Sequence, residues 1–145
     1  MAMFDKVHHV CIVVHDIEKS MAYYESLGIG PWQHYPPFEG FTLLEVPSED
    51  GFYSTIYRFC NVSNLQIQLC QPGDGTPQRE FLETRGEGVF HIGFEVDDCD
   101  EAEREGAAHG IFPFIRGRKG TASGFTYFDT PQAGVTLEVR QSPKA

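Results

Sequence analysis

None of the four cysteines, Cys11, Cys60, Cys70 and Cys99, stands in a C-x-x-C pair or at a regular spacing. That excludes a disulfide framework and a cysteine-built zinc site, and points to reduced thiols in a cytoplasmic protein. Basic residues are scarce: 11 Lys and Arg stand against 21 Asp and Glu, a net charge of -10. Such a chain repels phosphate backbones and anionic membrane surfaces, so neither a nucleic-acid nor a membrane partner is expected. No apolar run approaches the roughly 18 residues of a membrane span. The N-terminus lacks the apolar core and small-residue cleavage pattern of a signal peptide. Low-complexity segments and flexible linkers are also missing from the 145 residues.

What is present is enough apolar material for a packed core, 41% hydrophobic and 13% aromatic, and a repeat. The stretch VHHVCIVVHD at 7–16 returns as VFHIGFEVDD at 89–98, an offset of 82. At that offset Val7, His9, Val14, Asp16, Gly28 and Ile29 fall on Val89, His91, Val96, Asp98, Gly110 and Ile111. Two occurrences at so long a period suggest duplication of a half-domain rather than a solenoid.

Each copy opens with an alternating strand, predicted over 6–14 and 88–96. Asp16 and Asp98 stand where helix N-caps belong, helices are expected over 17–27 and 99–109, and Gly28 and Gly110 end them. Further strands are predicted over 31–36, 54–60 and 65–71 in the first half, and over 111–116, 123–129 and 134–141 in the second. The fold class is therefore α+β: two tandem β-α-β-β-β modules, about 5–72 and 88–142, in a single domain spanning 1–145. A long loop covers 37–51, and a short linker helix is expected over 77–84.

Strand alternation then sorts side chains by face. In LQIQLCQ at 65–71, Leu65, Ile67 and Leu69 share the apolar face, and Gln66, Gln68 and Cys70 the other. In VTLEVRQ at 135–141, Val135, Leu137 and Val139 oppose Thr136, Glu138 and Arg140. Phe90, Ile92, Phe94 and Val96 form an apolar face that leaves His91, Gly93 and Glu95 on the opposite side. Each module thus offers one histidine from its first strand and one oxygen ligand from its last. With both sheets curled into a cup, the expected metal set is His9, Gln68, His91 and Glu138.

The same segments carry a resemblance. HHVCIVVHDIEKS, LQIQLCQP, TPQREFLETRGEG, FHIGFEVDD and GVTLEVRQ are similar, in that order and over nearly the whole chain, to segments of the vicinal oxygen chelate superfamily. Its members include glyoxalase I, methylmalonyl-CoA epimerase, extradiol dioxygenases and bleomycin- and fosfomycin-resistance proteins. The likeness is strongest to the methylmalonyl-CoA epimerase branch. It implies paired modules forming a cup-shaped mixed sheet, helices outside, around one divalent metal held by His9, Gln68, His91 and Glu138. A homodimer is the family expectation. One departure is visible: GFYSTIYRFC at 51–60 holds no acid, where epimerases carry a glutamate implicated as the base.

Two imidazoles, an amide oxygen and a carboxylate suit Co, Mn, Ni, Fe or Zn. Such an ion polarises a carbonyl oxygen of a small substrate, so that an adjacent C–H proton leaves and an enolate forms on the metal. The expected activity is that of an epimerase or isomerase, or of a glyoxalase-like lyase; the alternative is a non-catalytic binding or resistance protein of the same fold. Glu138 is the first candidate base and Glu95 the second. Tyr57 and Tyr127 on the third strands are candidate donors to substrate. His34, in PWQHYPPFEGF at 31–41, is expected at the mouth of the cup. Arg116, in the basic run IRGRKG at 115–120, is expected to bind a substrate anion.

Overall fold

A computed structural model of the protein describes residues 3–144. Among the described residues it contains nine strands and four α-helices, in two compact units. One unit consists of His9–Pro37 and Pro47–Phe90. The other holds Phe38–Val46 and the described residues of the ranges Met1–His8 and His91–Ala145.

In the first unit the strands run in the order β2 (Gln33–His34), β4 (Ile56–Val62), β5 (Leu65–Gln71) and β1 (Val7–Val13). The last two are parallel, with His9 beside Gln66 and Cys11 beside Gln68. Helix α1 (Ile17–Ser26) starts as its sequence dictates. The Asp16 carboxylate accepts from the Lys19 N–H, satisfying one of the orphan donors of the first turn. Ile17 is buried with Val14 and Leu69, and Ile12, Met21, Tyr24 and Trp32 pack around them. Burying each of the large aliphatic side chains contributes about 1.5–3 kcal/mol. Two more helices close the unit, α2 (Glu49–Ser54), capped by Ser48, and α3 (Pro77–Arg85), capped by Thr76.

The second unit orders its strands β6 (Gly88–Glu95), β9 (Thr136–Gln141), β8 (Ser123–Phe128), β7 (Pro113–Lys119) and β3 (Leu43–Glu45). Again the first and last strands of the module, β6 and β9, are parallel. Helix α4 (Cys99–Ala108) is capped by Asp98, whose carboxylate accepts from the Asp100 and Glu101 N–H groups. It buries Cys99 and Ala102 against Phe128 and Val139.

The duplication extends to a detail the repeat alone does not reveal. The side-chain oxygen of Gln71, at the end of β5, accepts from the Ile17 N–H at 3.0 Å. The side-chain oxygen of Gln141, at the end of β9, accepts from the Cys99 N–H at 3.0 Å. In both modules the last strand thus tethers the first turn of the helix.

Three expectations need correction. The segment 37–51 is not a plain loop, because it contains β3 and the start of α2. Leu43–Glu45 pairs antiparallel with Arg116–Arg118 of β7, so this piece of the first module extends the sheet of the second. The strand expected at 54–60 runs instead over Ile56–Val62, because Ser48 caps a helix that lasts through Ser54. The strand expected at 111–116 begins at Pro113 and continues to Lys119, absorbing most of the basic run.

Candidate functional site

In the second unit, β6 carries His91 and β9 carries Glu138, and both side chains are buried, at 0% and 6% exposure. The parallel register sets Glu138 beside Gly93, which has no side chain to fill the position directly next to the carboxylate. His91 Nε2 lies 3.5 Å from Glu138 Oε2. Tyr127 is the cross-strand partner of Glu138 on β8, and its hydroxyl donates to that carboxylate. The Tyr127 ring also packs at 4.8 Å from the His91 ring. Burial pushes the Glu138 carboxyl above the usual carboxylate range, while His91, Arg140 and the Tyr127 hydrogen bond work against that shift.

Glu95 lies on the same strand face as His91. It is already engaged: Oε2 stands 3.4 Å from Arg140 Nε, and Oε1 accepts from the Ser142 N–H. Arg140, whose part the sequence did not signal, also reaches the His8 ring nitrogens at 2.7 and 3.0 Å.

In the first unit, His9 and Gln68 are buried at 2% and 4% exposure. Gln68 Nε2 donates to Tyr35 Oη at 2.6 Å and to Gln66 Oε1 at 2.8 Å. Tyr57 is buried beside them, its ring 6.0 Å from that of Tyr35. Tyr35 and Gln66 were missed as site residues. Tyr35 follows a strand of only two residues, too short for alternation to assign it a face.

Two sequence candidates are placed elsewhere. His34 is exposed and pairs with Arg58, whose register partner is Leu69 of the helix-side core. It therefore lies on the face opposite Gln68. Arg116 pairs with Thr126 and lies on the face opposite Tyr127 and Glu138. Its guanidinium is held by Glu103 at 2.9 Å and Glu45 at 3.3 Å. Arg118, 6% exposed, binds Glu103 and Asp100 on that same side. The two arginines of the basic run are thus neutralised by acids of α4 and β3, and Arg116 serves the packing of the helix on the sheet.

The chain is similar to known proteins along most of its length. The family model of the glyoxalase/bleomycin resistance protein/dioxygenase superfamily matches residues 8–128. An ethylmalonyl-CoA/methylmalonyl-CoA epimerase of Cereibacter sphaeroides is 29% identical over 99 residues, which make up 66% of this chain. The match spans 64% of that relative's length. The structure of methylmalonyl-CoA epimerase from Mycobacterium tuberculosis superposes with a TM-score of 0.69 at 24% identity, over 98% of this chain and 91% of the other. A variant of the Streptomyces coelicolor methylmalonyl-CoA epimerase, in complex with 2-nitronate-propionyl-CoA, gives 0.68 at 22% identity, over 94% of each chain. These likenesses establish the fold of paired β-α-β-β-β modules expected from the repeat. The chain belongs to the glyoxalase/bleomycin resistance protein/dioxygenase superfamily.

Proposed function

We propose that the chain is a divalent-metal-dependent epimerase or isomerase acting on a small acyl thioester of the methylmalonyl-CoA type. The observation that carries the reading is the matched burial of His9 with Gln68 in one unit and of His91 with Glu138 in the other. Each unit commits one imidazole and one oxygen donor, from its first and last strands, to a desolvated position. Burying such groups is costly unless a partner compensates them. Imidazole, amide and carboxylate together are the donor types that suit Co, Mn, Ni, Fe or Zn, and His9, His91 and Glu138 are all buried. His9, Gln68, His91 and Glu138 would hold one such ion.

When bound, the ion supplies Lewis-acid polarisation of a substrate carbonyl oxygen. The side chains do the rest. Two carboxylates share the face of β6 and β9. Glu95 is engaged by the Arg140 guanidinium and the Ser142 N–H, so Glu138 is assigned as the group that would receive the α-proton, on a carboxylate oxygen not held by the ion. Tyr127 holds that carboxylate in place through its hydroxyl. Tyr57 borders the donors of the first unit and offers its hydroxyl to a substrate carbonyl, whereas the one Tyr127 proton is given to Glu138. Burial of both donor pairs excludes water that would compete for the proton.

Wash-in of deuterium at the α-carbon of methylmalonyl-CoA in D2O tests the reading. Exchange that depends on added divalent ion and is lost in Glu138→Gln supports it. Binding of a small molecule without any exchange would instead favour a non-catalytic protein of this fold.

A further inference from the structure

The geometry points to Gln66 and Tyr35 as positioning residues that fix which end of the Gln68 carboxamide is offered as a metal ligand. The inference rests on the proposed metal site and adds the device that makes a glutamine usable there.

A carboxamide has nearly the same shape in either flip state, yet only its oxygen ligates a cation. A strand position alone therefore cannot specify Gln68 as a ligand; something must hold the nitrogen away from the ion. In the first unit three side chains close a ring of hydrogen bonds. Gln68 Nε2 donates to Tyr35 Oη at 2.6 Å and to Gln66 Oε1 at 2.8 Å. Tyr35 Oη in turn donates to the same Gln66 Oε1 at 3.1 Å. Both N–H groups of Gln68 are thereby used, and its oxygen is the end left to face away from the ring.

The two partners do not contribute equally. A tyrosine hydroxyl both donates and accepts, so Tyr35 tolerates either flip of Gln68. Gln66 Oε1 only accepts. Turning Gln68 over would set two carbonyl oxygens against each other at hydrogen-bond distance, losing a bond in a buried place. Gln66 is therefore the discriminating group. Its own Nε2 donates to Asn61 Oδ1 at 3.3 Å, and its Oε1 takes the Tyr35 proton at 3.1 Å. Tyr35 is held over the pair by the rings of Phe59 at 5.1 Å and Tyr57 at 6.0 Å. Outer partners of this kind typically change metal affinity by about 10–100-fold when removed.

The test is a double-mutant cycle read as Co2+ affinity of the purified protein by calorimetry. Gln66→Leu in the Gln68 background is expected to weaken Co2+ by about tenfold or more. The same substitution beside Gln68→Glu, whose carboxylate offers oxygen at both ends, is expected to change affinity less than about twofold. Gln66→Glu, which keeps an acceptor toward Gln68, is expected to restore affinity to near the wild-type value. Equal loss in both backgrounds would mean that Gln66 only packs, and would overturn the inference while leaving the metal site standing. A wild-type protein that takes up no divalent ion would overturn the proposed function and this inference together. Independently of metal, the Gln68 carboxamide protons are expected to exchange slowly in NMR spectra of the wild type and faster in Gln66→Leu. Unchanged exchange overturns the inference.

Discussion

Nε2 of His91 lies 3.5 Å from Oε2 of Glu138, and both side chains are shut off from solvent. The pair sits on parallel neighbours β6 and β9, with Gly93 beside the carboxylate and the Tyr127 hydroxyl donating to it. A buried carboxylate stays tolerable only while its hydrogen bonds persist. Tyr127→Phe removes one of them and leaves the ring packing on His91. It is expected to destabilise the metal-free protein by about 1–3 kcal/mol, read from the midpoint of urea unfolding.

Glu103 binds Arg116, Arg118 and the Thr126 hydroxyl at once. Burial alone would raise its carboxyl, but the hydrogen bonds from Arg116, Thr126 and Arg118 outweigh that and hold it below its ordinary value of 4.5. A folded pKa below the unfolded one adds stability above about pH 4.5, and that stability is lost as pH falls through the folded value. Glu103→Ala leaves Arg118 with Asp100 alone of its two acids and is expected to cost about 1–3 kcal/mol at pH 7. The gap to the wild type should narrow below pH 4.5, as urea midpoints measured across that range will register.

Cys99 is fully buried, and burial pushes its thiol up to about 12 against the opposing influence of Arg118. The unfolded thiol ionises near 9.0. Because the folded pKa is the higher one, its contribution is complete below pH 9 and is lost as pH rises toward 12. Thermal unfolding should therefore shift to lower temperature as pH rises above 9, and Cys99→Ala should flatten that alkaline slope by up to one proton.

Gly51 is buried where α2 meets the loop before α3, and a Cβ on it would stand 2.1 Å from the Asp74 carbonyl oxygen. Gly73 meets the Ser54 hydroxyl at 2.2 Å and the Gly51 carbonyl oxygen at 2.3 Å in the same sense. Neither backbone oxygen can swing aside as a side chain would. Gly51→Ala is expected to cost about 1–3 kcal/mol in the same urea assay, although Gly51 lies inside a helix where alanine is the better helix former.

The sequence announced most of this architecture because its signals are local. Alternation over seven or eight residues was enough to place Gln68 opposite Leu69 and His91 opposite Ile92, and Asp16 and Asp98 marked both helix starts. What escaped depends on partners far along the chain. Leu43–Glu45 is a strand only because β7 offers an edge to it. Arg116 and Arg118 looked like an exposed anion site until Glu103 and Asp100 of α4 came to lie against them. Tyr35 declares its role only through a hydroxyl aimed at Gln68, and no spacing in the sequence encodes that aim.

Titration of the metal-free protein with Co2+, with stoichiometry and affinity read together, tests most directly whether both modules serve one ion. One ion per chain is expected, bound at least tenfold more weakly by each of His9→Ala, Gln68→Ala, His91→Ala and Glu138→Ala, on the order of what loss of a ligand shell partner costs. Undiminished binding in both His9→Ala and Gln68→Ala, or in both His91→Ala and Glu138→Ala, would contradict the account, since one module would then contribute nothing to the ion.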